Sequence, residues 1–225
     1  MIPPRRRAAM TTLAPPSPTG FDATLLDRLP ASPAWVADAR REALARLAAL
    51  PLPDRREEHW MRTDLRAFQA RVWAEAFARH PGADAASSMP AALLADAVTA
   101  AGSGSLPFAA RIASLDGHVV LDEQSPELAA AGVLCGAPER ILAAHGDRLR
   151  SHWFANLDAS ADFFAALHGA FHRAGAVIVV PAGVRLAAPL HVLSALGSGG
   201  VDTSHVLVVL EEGAEATVIT ETAGG

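Results

Sequence analysis

The stretch from Gly175 to Thr222 constrains the fold most. It reads AVIVV, a Pro-Ala-Gly turn, VRLAAPLHVLSAL, a Gly-Ser-Gly-Gly loop, HVLVVL, Glu-Glu-Gly, then ATVITET. β-Branched runs return after each glycine-containing turn, with no helical periodicity between them. Short apolar runs bounded by turn residues read as strands, and several in series fit a sandwich, a barrel or a solenoid. Returns begin near Val177, Leu190, Val206 and Thr217. The runs Val177 to Val180 and Val206 to Leu210 do not alternate apolar with polar, so both strands are expected to be covered on both faces.

The chain upstream reads differently. Met1 to Gly20 is rich in Pro, Ser, Thr and Arg with little to bury, and the expected organisation is a disordered leader over 1–30, a helical and mixed region over 31–155, and a β-rich core over 156–225. A helix is expected from Ser32 as N-cap with Pro33 at the first position, its stripe formed by Trp35, Val36, Ala39, Ala43, Leu47 and Leu50. Arg40, Arg41 and Arg46 then fall on its wet face. In the charged segment Pro53 to Phe68, Trp60 is the expected apolar anchor of a docking segment. Arg71 to His80 and Pro90 to Ala101 read as helices, GADAASS and GSGS as loops. Ala109 to Leu115 and His118 to Leu121 read as a hairpin on an Asp116-Gly117 type I′ turn. Gly132 to Cys135 reads as a short strand, with Pro138 to Arg150 helical behind it. Asp158 to Gly175 is the last expected helix, capped by Asp158 or Ser160, striped by Phe163, Phe164, Leu167, Ala170 and Phe171, and stopped by Gly175.

Composition excludes several function classes. The formal charge is −5, and every basic side chain other than histidine is Arg, so no basic stripe for nucleic acid is expected. The single cysteine, Cys135, excludes an intramolecular disulfide and a four-cysteine zinc or iron–sulfur site, and fits a reducing compartment. No run approaches the roughly 20 apolar residues needed to span a bilayer, and Arg5-Arg6-Arg7 is not followed by an apolar signal segment.

Few residues suggest chemistry. His168 and His172 sit four apart, a spacing that could hold a metal on one helix face, but the intervening Glu of a metalloprotease helix is missing and they read as wet-face histidines. His191 and His205, at strand starts, read as structural. Cys135 lies among Val133, Leu134, Gly136 and Ala137, which offer no group to activate a thiolate, so a buried inert thiol is expected. No nucleophile elbow or phosphate loop is present. The chain alone is expected to be non-catalytic, with no catalytic, cofactor-binding or metal residue of its own.

Two separated segments resemble one family, the SufB/SufD iron–sulfur cluster assembly proteins. LPDRREEHWMRTDLRAF is similar to the family's N-terminal pattern through Pro53, Arg55, Arg56, Glu58 (or Glu57), Trp60, Thr63, Asp64 and Leu65. FFAALHGAFHRAGAVIVVPAGVRLAAPLHV is similar to the helix leading into the family's first β-helix coils, with Pro181, Gly183, Val184 and Pro189 in place. The Ala109 to Leu121 hairpin falls in order between them, so the likeness runs from about residue 30 to 225 and looks more like SufD. The chain departs from the pattern at His168, where the family often has Asn.

The resemblance implies an α+β chain: an N-terminal helical and mixed region followed by the opening coils of a right-handed parallel β-helix. It implies a cytoplasmic scaffold subunit that pairs with a SufB-like paralogue and a SufC-like ABC-type ATPase, with no nucleic acid or membrane partner. The iron–sulfur cluster would be handled by the assembled complex, with no cofactor bound by this chain alone. Family members continue through further coils to an ATPase-docking helical segment, and the cluster-building residues lie in that later part. The chain is therefore expected to be an N-terminal portion, and its open solenoid end to favour self-association. The alternative from another class is a cupin-type metal-dependent enzyme, since VVPAGVRLAAPLHV and HVLVVLEEGAEATV share a Pro-Gly turn, His and Glu-Gly turn rhythm. A cupin site would draw its metal ligands from His191 and His205.

Overall fold

The computed structural model describes residues 19–79 and 108–224. The architecture is α+β with two mixed sheets, and no sheet closes into a barrel among the described residues. The expected Pro90 to Ala101 helix and the GADAASS and GSGS loops lie outside the described residues.

In chain order the helices are α1 Ala23–Leu26, α2 Ala34–Ala49, α3 Ala70–Ala78, α4 Pro126–Ala130, α5 Pro138–Leu149 and α6 Phe163–Phe171. The strands are β1 Ala110–Leu115, β2 His118–Gln124, β3 Leu134–Gly136, β4 Gly175–Val180, β5 Leu190–Leu196, β6 His205–Leu210 and β7 Val218–Gly224. One sheet has the order β2-β1-β5-β7 and the other β3-β4-β6. From β4 onward the chain alternates between the two sheets. β4 pairs in parallel with β6, β5 with β7, and Arg185 bridges Glu215 in the same sense. Each residue of β4 thus meets one 30 residues further along.

The turns repeat with the strands. Gly183 N donates to the Glu212 carbonyl (2.9 Å), Glu215 N to Val184 O (2.9 Å) and Leu186 N to Glu215 O (2.9 Å). Pro181-Ala182-Gly183 therefore lies directly beside Glu211-Glu212-Gly213, and both glycines hold the positive φ such a turn requires (72° and 69°).

The Asp116-Gly117 hairpin forms as its sequence predicts. Both turn residues have positive φ (50° and 73°), and β1 pairs antiparallel with β2 around a bulge at Ala113 and Ser114. β1 also pairs in parallel with β5, so the hairpin extends the sheet that β5 and β7 form.

Three cores result. Between the sheets, Ile112, Cys135, Ala176, Ile178, Val180, Leu190 and Val192 pack together. Behind β4, Val177 and Val179 meet Ile141, Leu142 and Leu149 of α5, with Val36 of α2 and Trp153. A helical core joins Phe21, Leu25, Ala43, Leu47, Phe77, Phe163 and Phe171. β4 is accordingly buried at every position, as its unbroken apolar run predicts.

β6 departs from the same expectation. Its Leu207 and Val209 back onto the α5 side, but Val206, Val208 and Leu210 are 39%, 41% and 48% exposed. Their register partners Ala176, Ile178 and Val180 lie in the inter-sheet core, so these three side chains carry that inner face on to an edge strand that nothing covers among the described residues.

Other differences are local. Pro33, not Ser32, is the N-cap of α2, and Arg40 is buried at 8% exposure, not solvated, because its Nη2 donates to the His172 carbonyl (2.8 Å). α6 starts at Phe163 on an Asp162 cap; Asp158 instead accepts from Ser160 N in a local turn. α6 ends at Phe171, and Gly175 already belongs to β4. A Cβ there would meet the His205 backbone oxygen at 2.2 Å, so glycine is required by the approach of the two strands.

Residues 19–30, expected as part of the leader, are packed against the helices. Asp22 caps α1 by accepting from Leu25 N, and Phe21 is 1% exposed, its ring 5.0 Å from Phe171 and 6.0 Å from Phe77. Replacing Phe21 with Ala should cost about 3–5 kcal/mol, the usual loss for a buried aromatic. Urea unfolding checks this; a loss below ~1 kcal/mol, typical of a surface position, would show that residues 19–30 do not pack as described.

Candidate functional site

The densest gathering of groups capable of chemistry lies where α6 meets β6. Helical spacing puts His168 and His172 on the same face of the last turn of α6 and its C-cap. Parallel pairing brings His205, the first residue of β6, alongside Gly175. The His168 Nε2 and His205 Nδ1 atoms lie 3.1 Å apart in a hydrogen bond in which one imidazole donates and the other accepts. His172 Nδ1 lies 3.0 Å from the Gly169 carbonyl, which can only accept, so this nitrogen carries the proton. Its Nε2 is buried without a hydrogen-bond partner.

Two aromatic residues close the cluster. Phe154, held at φ 57°, stacks on His205 with centroids 4.1 Å apart and planes 5° apart, and Trp153 meets the same ring edge-on at 4.9 Å. A non-glycine residue in the left-handed region costs of order 1–3 kcal/mol, which the surrounding packing must outweigh.

The environment disfavours the charged form of all three rings. Burial pushes His205 down to about 4, with His168 nearby adding to the effect. Burial also lowers His168, against the opposing pull of Asp202. His172 lies well below the usual range, by burial first and then by the charge of Arg40 and the other two imidazoles. The expectation of solvated histidines at 168 and 172 is therefore overturned: His172 is 4% exposed and His168 half-buried. Chemically the cluster offers buried and half-buried imidazoles whose charged forms are disfavoured, with no adjacent nucleophile. No group of three or more His, Cys, Asp or Glu side chains suited to holding a metal ion occurs among the described residues.

His191 is elsewhere, in the other sheet. Its Nε2 lies 3.1 Å from Glu221 of β7 and its ring stacks on Phe108 at 4.9 Å. The structure therefore does not bring His191 and His205 together.

Cys135 sits on β3 at 1% exposure, and its thiol is pushed up to about 12 by burial and by the Asp122 carboxylate, against the opposing charge of Arg140. Arg140 grips both Asp122 oxygens (2.8 and 2.9 Å) and donates to the Cys135 carbonyl. The docking segment is anchored as its aromatics predict. Trp60 packs at 5.1 Å on Phe164, and Phe68 lies 5.0 Å from Phe164 and 6.1 Å from Phe163.

Trp153, Phe154 and the buried guanidiniums of Arg40 and Arg173 carry no local signal of their role, because their partners are remote in sequence. Only the unusual His-Trp-Phe run before α6 hints at a packed aromatic corner. No helix of the described residues is long and apolar enough to cross a membrane. No model of a known protein family matches the chain, and no curated protein matches it.

Two outcomes follow from this geometry. Because the folded state binds protons at the three histidines less readily than the unfolded chain does, their contribution to stability is intact above about 6.5. It is lost as pH falls from there through the His205 value of about 4. Each proton taken up only on unfolding tilts stability by about 1.4 kcal/mol per pH unit. Urea midpoints between pH 7 and 4 should fall accordingly and fall less steeply in His205→Asn; an identical slope in the variant would show that His205 does not titrate on unfolding. Cys135 should resist a thiol-specific reagent in the native protein and react stoichiometrically in denaturant, whereas rapid native labelling would mean β3 is not buried.

Proposed function

We propose that the chain is the N-terminal portion of a SufD-like scaffold subunit, with the β4 to β7 coils forming the start of a right-handed parallel β-helix. The observation that carries the reading is the repetition of strand, turn and strand about 30 residues apart, with both the strands and the glycine turns in register. Seating of Trp60 on Phe164 supports it, because this links the two segments that resemble the family.

In this role the chain is non-catalytic and works in the cytoplasm beside a SufB-like paralogue and a SufC-like ABC-type ATPase. ATP hydrolysis belongs to the ATPase and the iron–sulfur cluster is cargo of the complex. The parallel pairing of β4 with β6 and β5 with β7 favours this over a cupin-type enzyme, whose barrel would need antiparallel partners and converging metal ligands.

The test is the mass and company of the endogenous protein in native extract. A polypeptide larger than 23.4 kDa that travels with an ABC-type ATPase and a paralogous partner is the expected result. A lone 23.4 kDa species holding about one metal per chain after dialysis would overturn the reading in favour of a metal-dependent enzyme.

A further inference from the structure

A cavity of about 450 Å³ opens between the turn after α1, the β1–β2 turn, the start of α5 and the chain just past α6. Three arginines line it, Arg28, Arg140 and Arg173, against a single carboxylate, Glu139. That imbalance is unusual in a chain whose overall charge is negative.

The three arginines are differently committed. Arg140 is already clamped on Asp122. Arg173 is 7% exposed, and everything it touches is neutral: Nη1 donates to the Phe77 carbonyl (2.8 Å), Nη2 to the Asp116 carbonyl (2.9 Å), and the guanidinium lies 3.8 Å over the Phe77 ring. Its Nε has no hydrogen-bond partner. The carboxylates of Asp202 and Asp116 act on it without forming an ion pair, and burial holds its pKa down to about 10. Arg28, on the exposed turn after α1, makes no ion pair among the described residues. Glu139 uses Oε1 to accept from Ala174 N (3.2 Å).

A guanidinium taken out of water without an anion in contact carries an unrecovered desolvation cost, and an oxyanion in the adjoining space would offset it. We propose that this cavity binds a small molecule through a phosphate or carboxylate group, held between the buried charge of Arg173 and the exposed Arg28. The site is separate from the histidine cluster and independent of the scaffold assignment.

Isothermal titration and thermal unfolding of the intact chain test this, using inorganic phosphate and acetate in turn against chloride at matched ionic strength. Saturable binding of phosphate, with a rise in the unfolding midpoint beyond that in chloride, is the expected result; the same behaviour with acetate alone supports the site and makes the group a carboxylate. Arg28→Gln should leave the midpoint in chloride unchanged and weaken anion binding about tenfold, as expected for loss of one charge-assisted hydrogen bond. Neither anion binding better than chloride, or equal binding by the variant, would overturn the proposal.

Discussion

Burial of β4 on both faces is the constraint around which the other elements are arranged. Its six residues, Gly175 to Val180, are fully covered, so its peptide groups must find partners within the sheet. β3 supplies them on one side and β6 on the other. The alternation of its side chains then sends Ala176, Ile178 and Val180 into the inter-sheet core and Val177 and Val179 against α5 and α2. A polar residue at any of these positions would lack a solvated face, and this accounts for the unbroken apolar run. It also accounts for Gly175, where the chain leaves α6 and must pass within contact of the His205 backbone.

The entry into β4 is secured by polar groups buried at some cost. The last carbonyls of α6 have no helical partners, and they cannot reach water here. Thr203 Oγ1 donates to Phe171 O (2.8 Å), and Arg40 donates to His172 O (2.8 Å). Arg173 in turn ties the Phe77 carbonyl of α3 to the Asp116 carbonyl of the hairpin turn. One buried arginine therefore joins two helices and the other joins a helix to the β1–β2 hairpin, where apolar packing alone would leave carbonyl oxygens without donors. Burial lowers both guanidiniums to about 10, well above neutrality, so each remains charged in that role.

What the sequence discloses is what local chemistry decides. The Asp116-Gly117 turn, the strand starts and the apolar stripe of α6 are legible because turn residues and side-chain periodicity act over a few positions. The α6 start is misread because Asp158 and Ser160 form a local turn with the same chemistry as a helix cap. The packing of residues 19–30 is hidden because a single aromatic, Phe21, secures a segment of otherwise unremarkable composition. Arg40 looks solvated on α2 because its partner carbonyl belongs to another helix. For β6, an unbroken apolar run indicates two faces fit for burial, but whether a neighbour covers both depends on what stands beside it. Val206, Val208 and Leu210 show that difference directly. The histidine cluster is half legible: helical spacing pairs His168 with His172, and only the parallel register of β4 and β6 adds His205.

That register also gives the cluster its physical meaning. The imidazole bond from His168 to His205 joins α6 to the first residue of β6, and Phe154 stacks on His205 beside it. The inter-sheet core, by contrast, is built of aliphatic side chains and the Cys135 thiol, whose pKa of about 12 removes it from titration at neutral or acid pH. Acid therefore bears on the junction of α6 and β6, where burial disfavours the charged imidazoles. A protonated His205 would lose solvation while facing His168, and both rings cannot be charged at 3.1 Å without strong repulsion. The junction depends on imidazoles staying neutral, a condition that burial and aromatic packing supply together.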